Sequence, residues 1–221
     1  MTDFKIPIYL EIGRKRTFAC SLEWPGWCRS GRTEEAAIDA LIDIAPRYAE
    51  VARSASRRFP KAERDRIEVV ERIPGSGTTD FGAPGKVAQA DYEELDQAAA
   101  GRLRDLLRAS WDLLDRAVAE ASPTLQKGPR GGGRDRDDIF RHVLAAETAY
   151  ARSAGLKLKE PDAGDRRAIE AHREAILDIV RPASDTSVRS PKGWPIRYAV
   201  RRCAWHVLDH AWEIQDKSLK G

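Results

Sequence analysis

Long apolar runs, CxxC cysteine motifs and an excess of one charge are all missing from this 221-residue chain. No stretch of about 18 apolar residues occurs, which excludes a transmembrane helix. The opening MTDFKIPIYLEIGRKR has neither the apolar core nor the small-residue cleavage site of a signal peptide, so the expected location is cytoplasmic. Cys20, Cys28 and Cys203 form no CxxC pair, which argues against a zinc ribbon and a disulfide framework. Their odd number suits a reducing compartment. With 38 Lys and Arg against 35 Asp and Glu, the net charge of +3 gives no case for nucleic acid or an acidic membrane as partner. No GxGxxG follows a strand, no P-loop pattern is present, and no Ser-His-Asp or Cys-His arrangement can be drawn. The apolar fraction of 42% still supports one or two cores, so a disordered chain is excluded.

What is present falls into two textures. Ile8 to Ile12 and Phe18 to Trp24 alternate with period two and read as antiparallel strands joined by a turn at Gly13 to Arg16. Thr33 caps a helix whose first turn carries Glu34 and Glu35, and whose apolar face holds Ala37, Leu41, Ile44, Ala45 and Tyr48. Pro46 should kink or split it. Arg66 to Ile73 reads as a third strand. Residues 74–90 hold four Gly and two Pro and read as a linker. Four amphipathic helices follow, over about 91–122, 135–154, 164–180 and 194–217, the second opened by an Asp-rich cap. The expected fold class is therefore α+β: a β-β-α-β unit over 1–73, a linker over 74–90, and a four-helix bundle over 91–221.

The four histidines are unevenly placed. His206 and His210 stand four apart, which on a helix stacks both rings on one face about 6 Å apart. His142 lies in the apolar run Phe140 to Leu144 of another helix. Three imidazoles from two facing helices suit a divalent cation with open positions, and equally suit ordinary core or surface histidines. His172, in line with Ile169, Ile176 and Val180, reads as a half-buried structural residue.

The second half resembles the DinB-like family, with one His on the second helix (His142) and an HxxxH pair on the last (His206, His210). The resemblance implies an up-down-down-up bundle, often a homodimer, with nickel, zinc or iron on those three residues. It also implies a transferase or isomerase that activates a low-molecular-weight thiol such as mycothiol against a small-molecule substrate. The first half, from Tyr9 to Ile12 through Leu22 to Ala36 with its Pro25-Gly26 turn, resembles the HicB-like antitoxin domain. That likeness implies an alternative: a non-catalytic stress-response or partner-binding protein, or an antitoxin-like regulator.

Other residues take lesser roles. Arg202, one turn before His206, could clamp a carboxylate, and Glu213 could orient a ligand or move a proton. Arg141, Arg201 and Asp209 should point away from the ligands. Tyr198 and Trp205 could line a pocket rim, while Trp194, Trp205 and Trp212 are expected in the core or at a dimer interface. Cys203 reads as a buried inert thiol. Arg53, Arg57, Arg58, Arg64 and Arg66 read as a solvated face. The glycine-rich Pro129 to Arg134 is a candidate closing loop.

Overall fold

A computed structural model describes residues 5–128, 132–183 and 193–218. Pro129, Arg130 and Gly131 of the candidate closing loop lie outside the described residues, as does the Ser190-Pro191-Lys192 lead into the last helix. The architecture is α+β. Strands β1 (Ile6–Ile12), β2 (Thr17–Ser21), β3 (Cys28–Gly31) and β4 (Ile67–Pro74) form one sheet in the order β3-β2-β1-β4. β1 pairs antiparallel with β2 and parallel with β4. Between β3 and β4 run α1 (Glu34–Asp43) and α2 (Ala45–Ser54), followed after the sheet by α3 (Gly77–Phe81), α4 (Gln97–Glu120), α5 (Arg136–Ser153), α6 (Arg166–Asp178) and α7 (Ile196–Lys217). Among the described residues no helix is long and apolar enough to cross a membrane.

Local chemistry explains most boundaries. Thr33 Oγ1 accepts from Ala36 N at 3.2 Å to open α1. The helix breaks at Ile44, and Pro46 sits in the first turn of α2, where its missing N–H costs nothing. Asp96 and Asp165 cap α4 and α6, accepting from Ala99 N and Ala168 N at 2.7 and 3.0 Å. The Asp-rich start of α5 behaves differently from the expectation. Asp135 makes no cap bond and instead accepts from Leu125 N at 3.1 Å and Lys127 Nζ at 2.6 Å. A charged donor in reach outcompetes the backbone amides of its own helix.

Two further expectations are corrected. A short strand, β3, follows the Pro25-Gly26 turn, so the unit carries one strand more than β-β-α-β. Its CRSG sequence has no apolar alternation, and pairing with β2 supplies what the pattern lacks. Cys20 and Cys28 face each other in that pairing, with Cα atoms 4.2 Å apart, and are joined in a disulfide. A spacing of eight residues is no CxxC; the contact follows from strand register.

Both faces of the sheet are covered. Ile6, Ile8, Leu10 and Ala19 meet the α1 and α2 side with Leu41, Tyr48 and Val51. Tyr9, Phe18, Cys20 and Cys28 meet Trp205 of α7 on the opposite side. Trp24 and Trp27 stand edge-on to Phe59, which lies tilted against Tyr48 of α2, and Trp27 Nε1 donates to Leu41 O at 2.8 Å.

Segment 74–90 is laid along the sheet by buried carboxylates. Glu11, fully buried on β1, accepts from Gly85 N at 3.0 Å, Lys86 N at 2.9 Å and the Thr79 hydroxyl. Just beyond, Asp91 accepts from Ala88 N at 2.7 Å and from Arg201 Nε of α7 at 3.1 Å. Arg201 Nη1 also donates to the Tyr9 hydroxyl at 2.6 Å. Of the five arginines grouped late in the first half, Arg57, Arg64 and Arg66 pair with Asp105, Asp39 and Glu63.

α6 packs on α4 and α5 through a second buried network. Arg173 Nη1 donates to Asp115 at 2.8 Å, and Trp111 Nε1 donates to Glu147 Oε1 at 2.7 Å. Burial, against the pull of Arg173, raises the Glu147 carboxyl to about 7.

Two expected outcomes follow from these networks. Asp91→Asn leaves the Arg201 cation buried without its counter-charge, and should lower stability by about 3–5 kcal/mol in urea unfolding at neutral pH. Glu147 keeps its proton in the folded chain while the unfolded chain loses it near the ordinary carboxylate value. Stability from this residue is therefore full below about pH 4.5 and falls as pH rises towards 7, by about 3 kcal/mol at most. Glu147→Gln should flatten that slope in melting temperatures taken from pH 4.5 to 7.5.

Candidate metal centre

α7 presents His206 and His210 one turn apart on one side, and α5 brings His142 to meet them. His206 Nε2 lies 3.2 Å from His142 Nε2. The ring centroids are 5.0 Å apart for His142 with either partner and 4.6 Å for His206 with His210. One nitrogen from each ring falls within 4.8 Å of the other two. A tetrahedral ion with bonds of about 2.0–2.1 Å holds its ligand atoms about 3.3 Å apart, so the 3.2 Å pair fits such an ion between them.

The surroundings favour the neutral form of two of the rings. His206 is buried, and burial first, then His210 and His142, push it down to about 2. His142 is also lowered, by burial and then by Arg134 and His210. Ligand imidazoles must be unprotonated, so this environment favours the coordinating form. His210 Nδ1 is 2.8 Å from Glu213 Oε2, which leaves Nε2 as the nitrogen free to coordinate. Glu213 is held down to about 2, chiefly by this hydrogen bond and also by the one from Lys217. His206 Nδ1 is buried and has no hydrogen-bond partner among the described residues.

The neighbours of the ligands fall as follows. Glu213 orients His210. Arg141 pairs with Asp138 at 3.0 Å, Arg201 turns to Asp91, and Asp209 lies 3.8 Å from Arg29. Arg202 stacks on Trp205 and Tyr150, its Cζ 4.7 and 5.3 Å from the ring centroids, and meets no carboxylate among the described residues. Tyr198 and Trp205 are buried rather than at a rim: Tyr198 stands edge-on to Trp194 at 4.8 Å and Trp205 to Phe18 at 6.1 Å. Trp212 is buried beneath the guanidinium groups of Arg29 and Arg47, a contact within the chain. Cys203 is buried and its thiol is pushed well up by burial, against the pull of Arg173 and Arg202. His172 stays apart from the cluster, with Nε2 at 3.0 Å from Thr148 Oγ1.

Tyr150 is the neighbour that sequence reading missed. Its ring is 5.7 Å from that of His206. The signal was available: Tyr150 stands eight residues after His142, two turns along the same face of α5. Compared with protein-family models, curated proteins and solved structures, the chain gives no match, so its site is read from its own geometry.

Proposed function

We propose that this chain binds a divalent cation, nickel, zinc or iron, on His142, His206 and His210, and uses it to activate a low-molecular-weight thiol. The observation that carries the reading is the convergence of three imidazole nitrogens within 4.8 Å from two separate helices. In this reading α4 to α7 form a DinB-like four-helix bundle, and the reaction is a thiol transfer or isomerisation. A divalent cation on three neutral ligands supplies a Lewis acid that brings a bound thiol or water to its anion near neutral pH.

The chain's own residues do the rest. Burial of His206 and His142 keeps both rings in the form that coordinates. Glu213 takes the Nδ1 proton of His210 into a hydrogen bond, fixing the tautomer and the ring's direction. Tyr150 and Trp205 wall the His206 ring and hold bulk water away from it. The sheet half is read as a buttress for α7, its HicB-like outline reused for packing.

Elemental analysis of the purified chain tests the reading directly. About one equivalent of metal is expected in the wild type and none in His206→Ala; a wild type without stoichiometric metal overturns it. Given bound metal, consumption of a small thiol with an electrophile separates an enzyme from a passive binder. Glu213→Gln should keep the fold yet weaken the metal by about 10–100-fold in competition with a chromophoric chelator.

A further inference from the structure

Cys20 and Cys28 stand at directly opposed positions on neighbouring strands, buried and joined in a disulfide. The turn between them does not need that bond to close. Ser21 N donates to Trp27 O and Trp27 N to Trp24 O, each at 3.0 Å, while Trp27 Nε1 reaches Leu41 O. A cross-link over so short a loop, already closed by hydrogen bonds, adds little as a staple. What it does fix is the spacing of two sulfurs in a layer with little spare room.

That layer lies against α7. Both cysteines pack in one cluster with Tyr9, Phe18, Ala88 and Trp205. The cavity they line together with Gly26, Tyr198 and Trp205 measures about 10 Å³, room for one water at most. Two thiols cannot approach as closely as two bonded sulfurs and have to part to van der Waals contact. In close-packed surroundings, parting them displaces whatever lies against them. Those neighbours lead to the candidate ligands. The Trp205 ring is 6.1 Å from that of His206, and Gly26 abuts Ala204 and Leu208, two residues to either side of His206.

We propose that Cys20 and Cys28 form a reversible dithiol–disulfide pair whose state sets the metal affinity of the histidine cluster. This rests on the reading of His142, His206 and His210 as a cation site. The three imidazoles converge in the cross-linked chain, so reduction weakens the site. In the step itself a thiolate of a small dithiol attacks one sulfur, and a mixed disulfide forms as the Cys20–Cys28 bond breaks. The released cysteine takes a proton. The reagent's second thiol then closes on its first sulfur and expels the other cysteine, which is protonated in turn. The chain gains two electrons and two protons, and the dithiol leaves as its own disulfide. Local opening at the sheet edge gives access, because β3 is four residues long and β2 is its one strand partner.

Wild-type chain, either oxidised or reduced with dithiothreitol and desalted without oxygen, supplies both states. Alkylation and peptide mass should find Cys20 and Cys28 blocked in the first and free in the second. In competition with a chromophoric chelator, the reduced chain should hold zinc about tenfold more weakly, and reoxidation should restore the affinity. A Cys20→Ser and Cys28→Ser double variant should match the reduced wild type and ignore dithiothreitol; if it does not fold, the two wild-type states decide. A pair that never cross-links, or that resists dithiothreitol in the folded chain, overturns the proposal. Loss of the helical circular-dichroism signal on reduction also overturns it, because the bond is then a structural staple. Equal zinc affinity in both states overturns this proposal alone, whereas zinc bound by neither state overturns the cation reading and this proposal with it.

Discussion

The burial of α7 on opposite sides is the constraint from which the rest of the structure follows. A helix apolar around most of its circumference has to be enclosed. One side is taken by the sheet, where Trp205 meets Phe18 and the turn at Gly26 presses on the helix backbone. Gly26 has φ +91, and a Cβ there would stand 2.6 Å from Leu208 Cδ1 and 3.1 Å from the Ala204 carbonyl. Only glycine meets both the turn geometry and the close approach. The other side is taken by α4 and α5, and there the two histidines of α7 meet His142. The helix that carries most of the candidate ligands is thus also the one that the first half grips.

Polar groups along α7 are sorted by the same enclosure. A charge inside this layer needs a partner, and Arg201 finds Asp91 and Tyr9 across the boundary between the halves. Where α7 reaches the surface, Arg29 and Arg47 of the first half cover Trp212, and Arg47 also meets Asp216 at 2.9 Å. Of the three clustered histidines, burial favours the neutral form of His206 and His142, while His210 meets the Glu213 carboxylate.

How much of this was legible in the sequence depends on the range of the forces involved. The helices α5, α6 and α7 could be read to within two residues, because a 3.6-residue apolar period is written in consecutive positions, whereas α4 starts at Gln97, six residues later than expected, because Asp96 caps it. The split at Ile44 was announced by Pro46. The pairing of His206 with His210 was legible from their spacing, but the residues alone left their meeting with His142 open, and only the family resemblance implied it. What depends on strand register was not legible: β3, the Cys20–Cys28 pair and the bulge between Ile8 and Tyr9 opposite Val69 and Glu71 exist only once strands are aligned. The partners of Arg201 were equally hidden, since Tyr9 and Asp91 are distant in sequence and no local pattern announces a buried ion pair.

Composition misleads most in the segment 74–90, and its physical basis shows why. Gly and Pro there are compatible with a loose tether, but the same residues allow close backbone approach. A Cβ on Gly75 would stand 2.8 Å from Gly13 N, and one on Gly85 would stand 3.1 Å from a Thr78 methyl. Small residues bring the amides of Gly85 and Lys86 against the buried Glu11 carboxylate, which satisfies an acid that strand β1 would otherwise bury alone. Asp91 repeats the device one step further on, tying the end of the segment to α7. The glycines therefore serve contact as well as turning, and the two carboxylates at 11 and 91 join the sheet to the helix that bears His206 and His210.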